Sequence, residues 1–175
     1  MSAVFSYCGT WRYRLDRDFL LPGPTIAFCL HNPSTAGADN EDPTSRRGIG
    51  FARLWGAGKL VYVNPWAGCA TNPKDLWSMP DPIGPMNDFH ISAVAKAVYE
   101  TGGFFVFAWG AVSPPKHLKY SVTRRLKDVE KIVRDHGCEV RSLGVTKDGA
   151  PRHPLYLRAD TVPAPWPALQ QEPRP

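Results

Sequence analysis

The sequence predicts an α/β fold: a single three-layer domain with a central, mainly parallel four-stranded sheet and helices on both faces. Three observations lead there. Three short apolar runs, Thr25 to Leu30, Leu60 to Val63 and Phe104 to Trp109, with a fourth, more polar one at Glu139 to Leu143, have strand length and end in Asn, Pro or Gly. The stretches between them carry apolar residues at helical spacing, and this alternation implies a mainly parallel sheet covered on both sides. At 175 residues with 43% hydrophobic content, the chain suits one core. That domain is expected over residues 1–161, with a Pro-rich, disordered tail over 162–175.

Trp11 to Leu21 mixes aromatic and charged residues in near alternation, as an edge strand or hairpin arm does, and Pro22-Gly23-Pro24 cuts it off from the first core strand. After that strand, Asp42-Pro43-Thr44 supplies an N-cap and an N1 proline for a helix running to about Trp55, with Ile49, Leu54 and Trp55 on its apolar face and Gly56 and Gly58 stopping it. The second strand is followed by a long polar loop and a short helix opening at Asn72-Pro73 that carries Leu76 and Trp77. From about Asn87, Ile91, Val94, Ala95, Val98 and Tyr99 recur at three and four, which makes a core-facing helix ended by Gly102-Gly103. Val122, Leu126, Val129 and Val133 mark a further amphipathic helix that ends at Gly137, just before the fourth strand.

Composition narrows the function. The formal net charge is +5 and the pI about 9.1, with basic clusters at Arg46-Arg47, Lys116-His117, Arg124-Arg125 and around Lys147, Arg152, His153 and Arg158. Such a balance favours DNA or a nucleotide as partner, although the same clusters also serve as an ordinary solvated face. The start has no basic-apolar-small leader, and no apolar run approaches the roughly 18 residues of a membrane span, so a cytoplasmic monomer with no membrane partner is expected. Cys8, Cys29, Cys69 and Cys138 are scattered without a Cys-x-x-Cys pair and read as reduced structural thiols. His31, Asp39, Asp42, Asp88 and His90 have metal-ligating side chains but lack a spacing that fixes a site, so neither metal nor cofactor is expected. A Walker loop, a Gly-x-Gly-x-x-Gly fingerprint and a Gly-x-Ser-x-Gly elbow are all missing from the sequence, which argues against P-loop, dinucleotide and α/β-hydrolase chemistry.

The chemistry is expected at the strand ends, where α/β folds place their crevices. Thr25 to Leu30 stops at His31-Asn32-Pro33-Ser34, the second strand stops at Asn64-Pro65, and the third stops at Trp109-Gly110. Near the end of the chain, His153 sits between Arg152 and Pro154 after a Lys-Asp-Gly turn. Each of these residues also has an ordinary structural use. Asn-Pro makes turns, Asp42 suits a helix cap, and Phe51, Trp55 and Trp109 suit a core.

Taken together, Leu30-x-Asn32-Pro33-Ser34-Thr35-Ala36, Asp42-Pro43-Thr44, Arg47-x-x-Gly50-Phe51-Ala52, Trp55-Gly56, Val63-Asn64, Asp81-Pro82-x-Gly84-Pro85-x-Asn87-Asp88 and Arg152-His153-Pro154-Leu155-Tyr156-Leu157 resemble a phage and bacterial family known as domain of unknown function sixteen-forty-three. The resemblance extends over nearly the whole chain to Trp166 and brings no established activity. If the protein is phage-encoded, it would work in the host cytoplasm.

The order of motifs is also similar to the uracil-DNA glycosylase superfamily, especially its mismatch-specific branch, which implies a fold of that type. In that likeness Asn32-Pro33 takes the first motif, with Leu30-His31 where those relatives carry glycine. Phe51 or Trp55 takes the base-stacking aromatic, Asn64 the base-edge reader, Phe107-Ala108-Trp109-Gly110 the third strand, and His153-Pro154 the last motif.

The chemistry implied is cleavage of an N-glycosidic bond. Positive charge builds on the sugar and negative charge on the leaving base, so the site needs a placed water and a donor aimed at a base oxygen. Asn32, His153 and Asp42 would be the catalytic residues: Asn32 placing the water, His153 donating to the base and Asp42, with Asp39 and Glu41 of the same loop as alternatives, supplying a carboxylate. Asn64, Phe51 and Trp109 would bind a base that has left the stack. Arg46, Arg47, Lys116 and Arg152 would hold phosphates. Two readings stay open: excision of a modified or damaged base from DNA, or a non-catalytic nucleotide- or nucleic-acid-binding accessory protein of a phage.

Overall fold

A computed structural model describes residues 1–34 and 37–167. Three α-helices and, among the described residues, seven strands make a mixed α/β fold. The strands are β1 (Ser2–Phe5), β2 (Arg12–Asp18), β3 (Thr25–Cys29), β4 (Lys59–Val63), β5 (Phe104–Phe107), β6 (Glu139–Ser142) and β7 (Ala164–Pro165), joined in the order β1-β2-β4-β3-β5-β6-β7. The four strands expected from sequence are the central ones, β4-β3-β5-β6, and they pair in parallel. The expected four-stranded sheet is nevertheless too small. β1 and β2 add an antiparallel pair beyond β4, and β7 adds an antiparallel strand beyond β6.

One of those additions decides between two sequence readings, and another corrects one. The charged strand at Trp11 to Leu21 is a hairpin arm paired with β1 and not an edge, and Arg12, Asp16 and Arg17 are buried in it. The segment 162–167 is ordered where disorder is expected: Trp166 is 5% exposed and its amide donates to the Val140 carbonyl at 2.8 Å, because one indole buries enough apolar surface to hold a Pro-rich strand. The remainder of the expected tail, 168–175, lies outside the described residues.

Side-chain alternation along β3, β4 and β5 builds two cores. Ala27, Cys29, Val61, Val63, Phe105 and Phe107 face α2 (Asn87–Glu100) and α3 (Lys119–Asp135). Ile26, Phe28, Leu60, Tyr62, Phe104 and Val106 face α1 (Pro43–Leu54). Asp42 caps α1 by accepting from the Ser45 amide at 2.7 Å, and Pro43 fills the first turn. The buried face of α1 is Gly48, Phe51 and Ala52; Leu54, expected inside, is exposed. Gly48 matters here, since a Cβ would fall 2.3 Å from the Tyr62 hydroxyl, which reaches past it to donate to the Ser45 carbonyl.

The connections create one crevice. From β3 the chain passes through α1 to β4 on one side, whereas from β5 it passes through α3 to β6 on the other. β3 and β5 are neighbours whose connections leave in opposite directions, so their carboxyl ends form the switch point at which open α/β sheets bind ligands.

Candidate functional site

A cavity of about 680 Å³ opens at that switch point. β3 delivers Leu30, His31 and Asn32 to it, and β5 delivers Trp109, Gly110 and Ala111. The start of α1 contributes Asp42, Thr44 and Ser45, the long β4–α2 connection contributes Ala70 to Lys74 and Trp77, and the loop after β6 contributes His153, Leu155 and Tyr156. The volume lies in the range of small-molecule sites, roughly 300–1,000 Å³.

Asn32 is held in a definite orientation. Its Nδ2 donates to the Pro33 and Ala70 carbonyls, each at 2.8 Å, so both amide protons are spent on backbone. That fixes the amide and leaves Oδ1 as the atom with which it can accept from a water or ligand. One arrangement therefore serves both the turn and a possible chemical role.

His153 is brought in by a backbone clamp. The Gly110 amide donates to the Pro151 carbonyl at 2.9 Å, with Gly110 at φ 74°, where an added Cβ would sit 3.3 Å from the Cβ of His153. A larger residue at the end of β5 would therefore suffer backbone strain and push the histidine away. Leu155 N–H donates to His153 Nδ1 at a long 3.4 Å, which favours the neutral tautomer with its proton on Nε2. Burial lowers the His153 pKa, partly opposed by the charge of Asp42, so the ring is neutral at pH 7 and acts as a donor without carrying charge. His31, beside it, is driven down to about 4 by burial and by His153.

Asp42 lines the cavity while Oδ1 caps α1. It is the one carboxylate among the described lining residues. Trp109, 5% exposed, forms part of the wall and is packed against Phe107, with ring centroids 4.6 Å apart.

The other expected residues lie elsewhere. Asn64 is 2% exposed and does not line the cavity: the turn it begins is pulled into the core, with its carbonyl accepting from Asn87 Nδ2 at 2.9 Å and the Pro65 carbonyl accepting from Asn87 at 3.1 Å and from Arg125 Nε at 2.8 Å. Phe51 is a core residue under α1, stacked on Trp55 at 5.3 Å, because a helix that packs on the sheet turns its large apolar residue inward. Arg47 lies over the Phe51 ring and lines a separate cavity of about 190 Å³ with Gly50, Leu54 and Ala159. Arg46, Lys116 and Arg152 are exposed and outside the lining, yet Arg46 follows the lining residue Ser45 and Arg152 precedes His153. Of the residues with metal-ligating side chains, His90 stacks on Tyr13 and Asp88 pairs with Arg125 at 2.6 Å, both away from the cavity.

Several lining residues escaped the sequence reading. Arg12, 4% exposed, enters from the start of β2, and its pKa is lowered by burial against the opposing influence of Cys69 and Asp42. Lys74 enters from a loop, and Trp77 and Tyr156 enter from the short 3-10 helices Asp75–Ser78 and Pro154–Tyr156. Trp77 is the one with a legible signal, a large aromatic in a polar connection, whereas the burial of Arg12 depends on contacts with segments far along the chain, near Asp42 and Cys69.

A family model described as "Protein of unknown function (DUF1643)" matches residues 12–155, and the chain belongs to that family. Comparison with curated proteins and with solved structures finds no match.

Proposed function

We propose that this protein recognises a nucleobase in the cavity at the ends of β3 and β5 and hydrolyses its N-glycosidic bond, excising a modified or damaged base from DNA in the manner of a uracil-DNA glycosylase-like enzyme. The observation that carries the reading is the convergence of Asn32, His153, Asp42 and Trp109 on one cavity from four separate segments. In this mechanism Asn32 Oδ1 accepts from a water and orients it, and Asp42 takes the water's proton as its oxygen bonds to the sugar carbon. The electron pair of the broken bond leaves on the base, where the Nε2–H of His153 stabilises it. Trp109 gives the base an aromatic wall, and Arg46, Lys116 and Arg152 contact backbone phosphates around the opening.

Oligonucleotides carrying uracil, hydroxymethyluracil or bulkier bases, single- and double-stranded, test the reading through alkali-sensitive breaks. Breaks that disappear in Asn32→Ala and His153→Ala are expected. A non-catalytic nucleotide binder is the second reading, favoured by the use of Asp42 Oδ1 as a helix cap. Nucleotide binding without breaks on any substrate selects it.

A further inference from the structure

His31 follows Leu30 at the end of β3, and its ring borders the cavity. The ring is held between two indoles, with its centroid 5.2 Å from Trp66 in an edge-on arrangement and 5.7 Å from Trp77, which also lines the cavity. Unlike His153, whose Nδ1 accepts from the Leu155 amide, His31 makes no hydrogen bond at either ring nitrogen among the described residues; Nε2 is buried, so Nδ1 is the atom open to a ligand in the cavity. A neutral imidazole carries one donor and one acceptor, and folded proteins leave buried polar atoms unmet only rarely. The segment 31–33 does not need the imidazole as a brace, because Asn32 already secures it through the Pro33 and Ala70 carbonyls.

We propose that His31 is a second recognition residue of the cavity, binding the polar edge of a planar heterocycle whose face rests on Trp77. The inference deepens the nucleobase reading and rests on it. Recognition then has two polar points on neighbouring loops: the Nε2–H donor of His153, and His31, whose ring offers a donor or an acceptor according to its tautomer. Burial and the neighbouring His153 keep His31 neutral near pH 7, so it reads hydrogen-bonding pattern and not charge. A ligand with a donor–acceptor edge is favoured over an apolar ring of the same shape, because only the former satisfies the imidazole.

The test is titration of the full chain with uridine, cytidine, adenosine and guanosine, read by tryptophan fluorescence and by the imidazole nitrogen resonances. His31→Phe keeps an aromatic ring between Trp66 and Trp77, and His31→Gln restores a polar group. Support consists of a nucleoside that binds the wild type and moves the His31 nitrogen signals, with Kd raised roughly tenfold or more in His31→Phe and partly recovered in His31→Gln. Equal affinity in wild type and His31→Phe overturns the role of His31 and leaves the cavity reading intact. If none of the four binds the wild type, the role of His31 is overturned, while base release from the modified oligonucleotides decides the nucleobase reading separately.

Discussion

Two strand ends in this protein share a motif and have opposite fates. β3 ends in His31-Asn32-Pro33 and β4 in Asn64-Pro65, and in each an apolar strand breaks at Asn-Pro. Asn32 opens onto the cavity with Oδ1 available, whereas Asn64 is sealed in the core with its Nδ2 unmatched. The difference lies in what packs behind each turn. The β4 turn is covered by α2 and α3 through Asn87 and Arg125. The loop after β3 is clamped farther along by Arg17, 1% exposed, which pairs with Glu41 and donates to the Gly37 carbonyl at 2.7 Å, leaving the segment at Asn32 facing open space. An Asn-Pro strand end is thus a permissive signal, and the braces around it decide whether it meets a ligand.

Removing the braces should have the largest effect. Arg17→Met leaves Glu41 without its partner beside the loop and is expected to cost about 3 kcal/mol in urea unfolding. A loss under about 1 kcal/mol would mean that Arg17 does not hold the loop. Acid should act on the cavity side by a similar amount. His31 has an ordinary pKa of 6.5 that burial lowers to about 4, so the unfolded chain binds a proton that the folded one refuses. Its contribution is complete above about pH 6.5, declines as pH falls and levels off below about 4, an overall loss of about 3 kcal/mol, with His153 adding in the same direction. Denaturation midpoints measured from pH 8 to 4 should fall for the wild type and fall less steeply in His31→Phe, where the His153 contribution remains.

On the sealed side, Asn87→Ala strips the Asn64 carbonyl of its donor and should cost about 2 kcal/mol, again by urea unfolding, while leaving ligand affinity unchanged. The two asparagines separate the regions most sharply at the small end of the scale. Asn32→Ala should cost about 1 kcal/mol of stability yet abolish base release, whereas Asn64→Leu, which removes a buried amide already short of a partner, should change stability by less than about 1 kcal/mol and leave activity intact. Loss of activity in Asn64→Leu would put Asn64 back in the site and erase the distinction.

Much of this was legible beforehand. The four parallel strands, the Asp42 cap of α1 and the helical faces of α2 and α3 follow from local patterns, since burial on both sides of a strand or one side of a helix leaves a periodic trace. Asn32, Trp109 and His153 were legible because they sit beside strand ends or breakers. Phe51 and Asn64 lie in the core and not in the cavity lining, since local sequence does not record whether a large ring or a turn faces outward or is covered from outside.

By itself, then, the sequence determined the strand–helix alternation, because strand length and helical periodicity are local properties of the chain. The tertiary structure alone decided the rest: that the ends of β3 and β5 adjoin in one crevice, that Arg17 is buried against the loop after β3, that Trp166 turns part of a Pro-rich tail into β7, and that Asn32 and His31, not Asn64, meet the cavity. Those outcomes depend on contacts between segments far apart in the chain, whose energies no single stretch of residues contains.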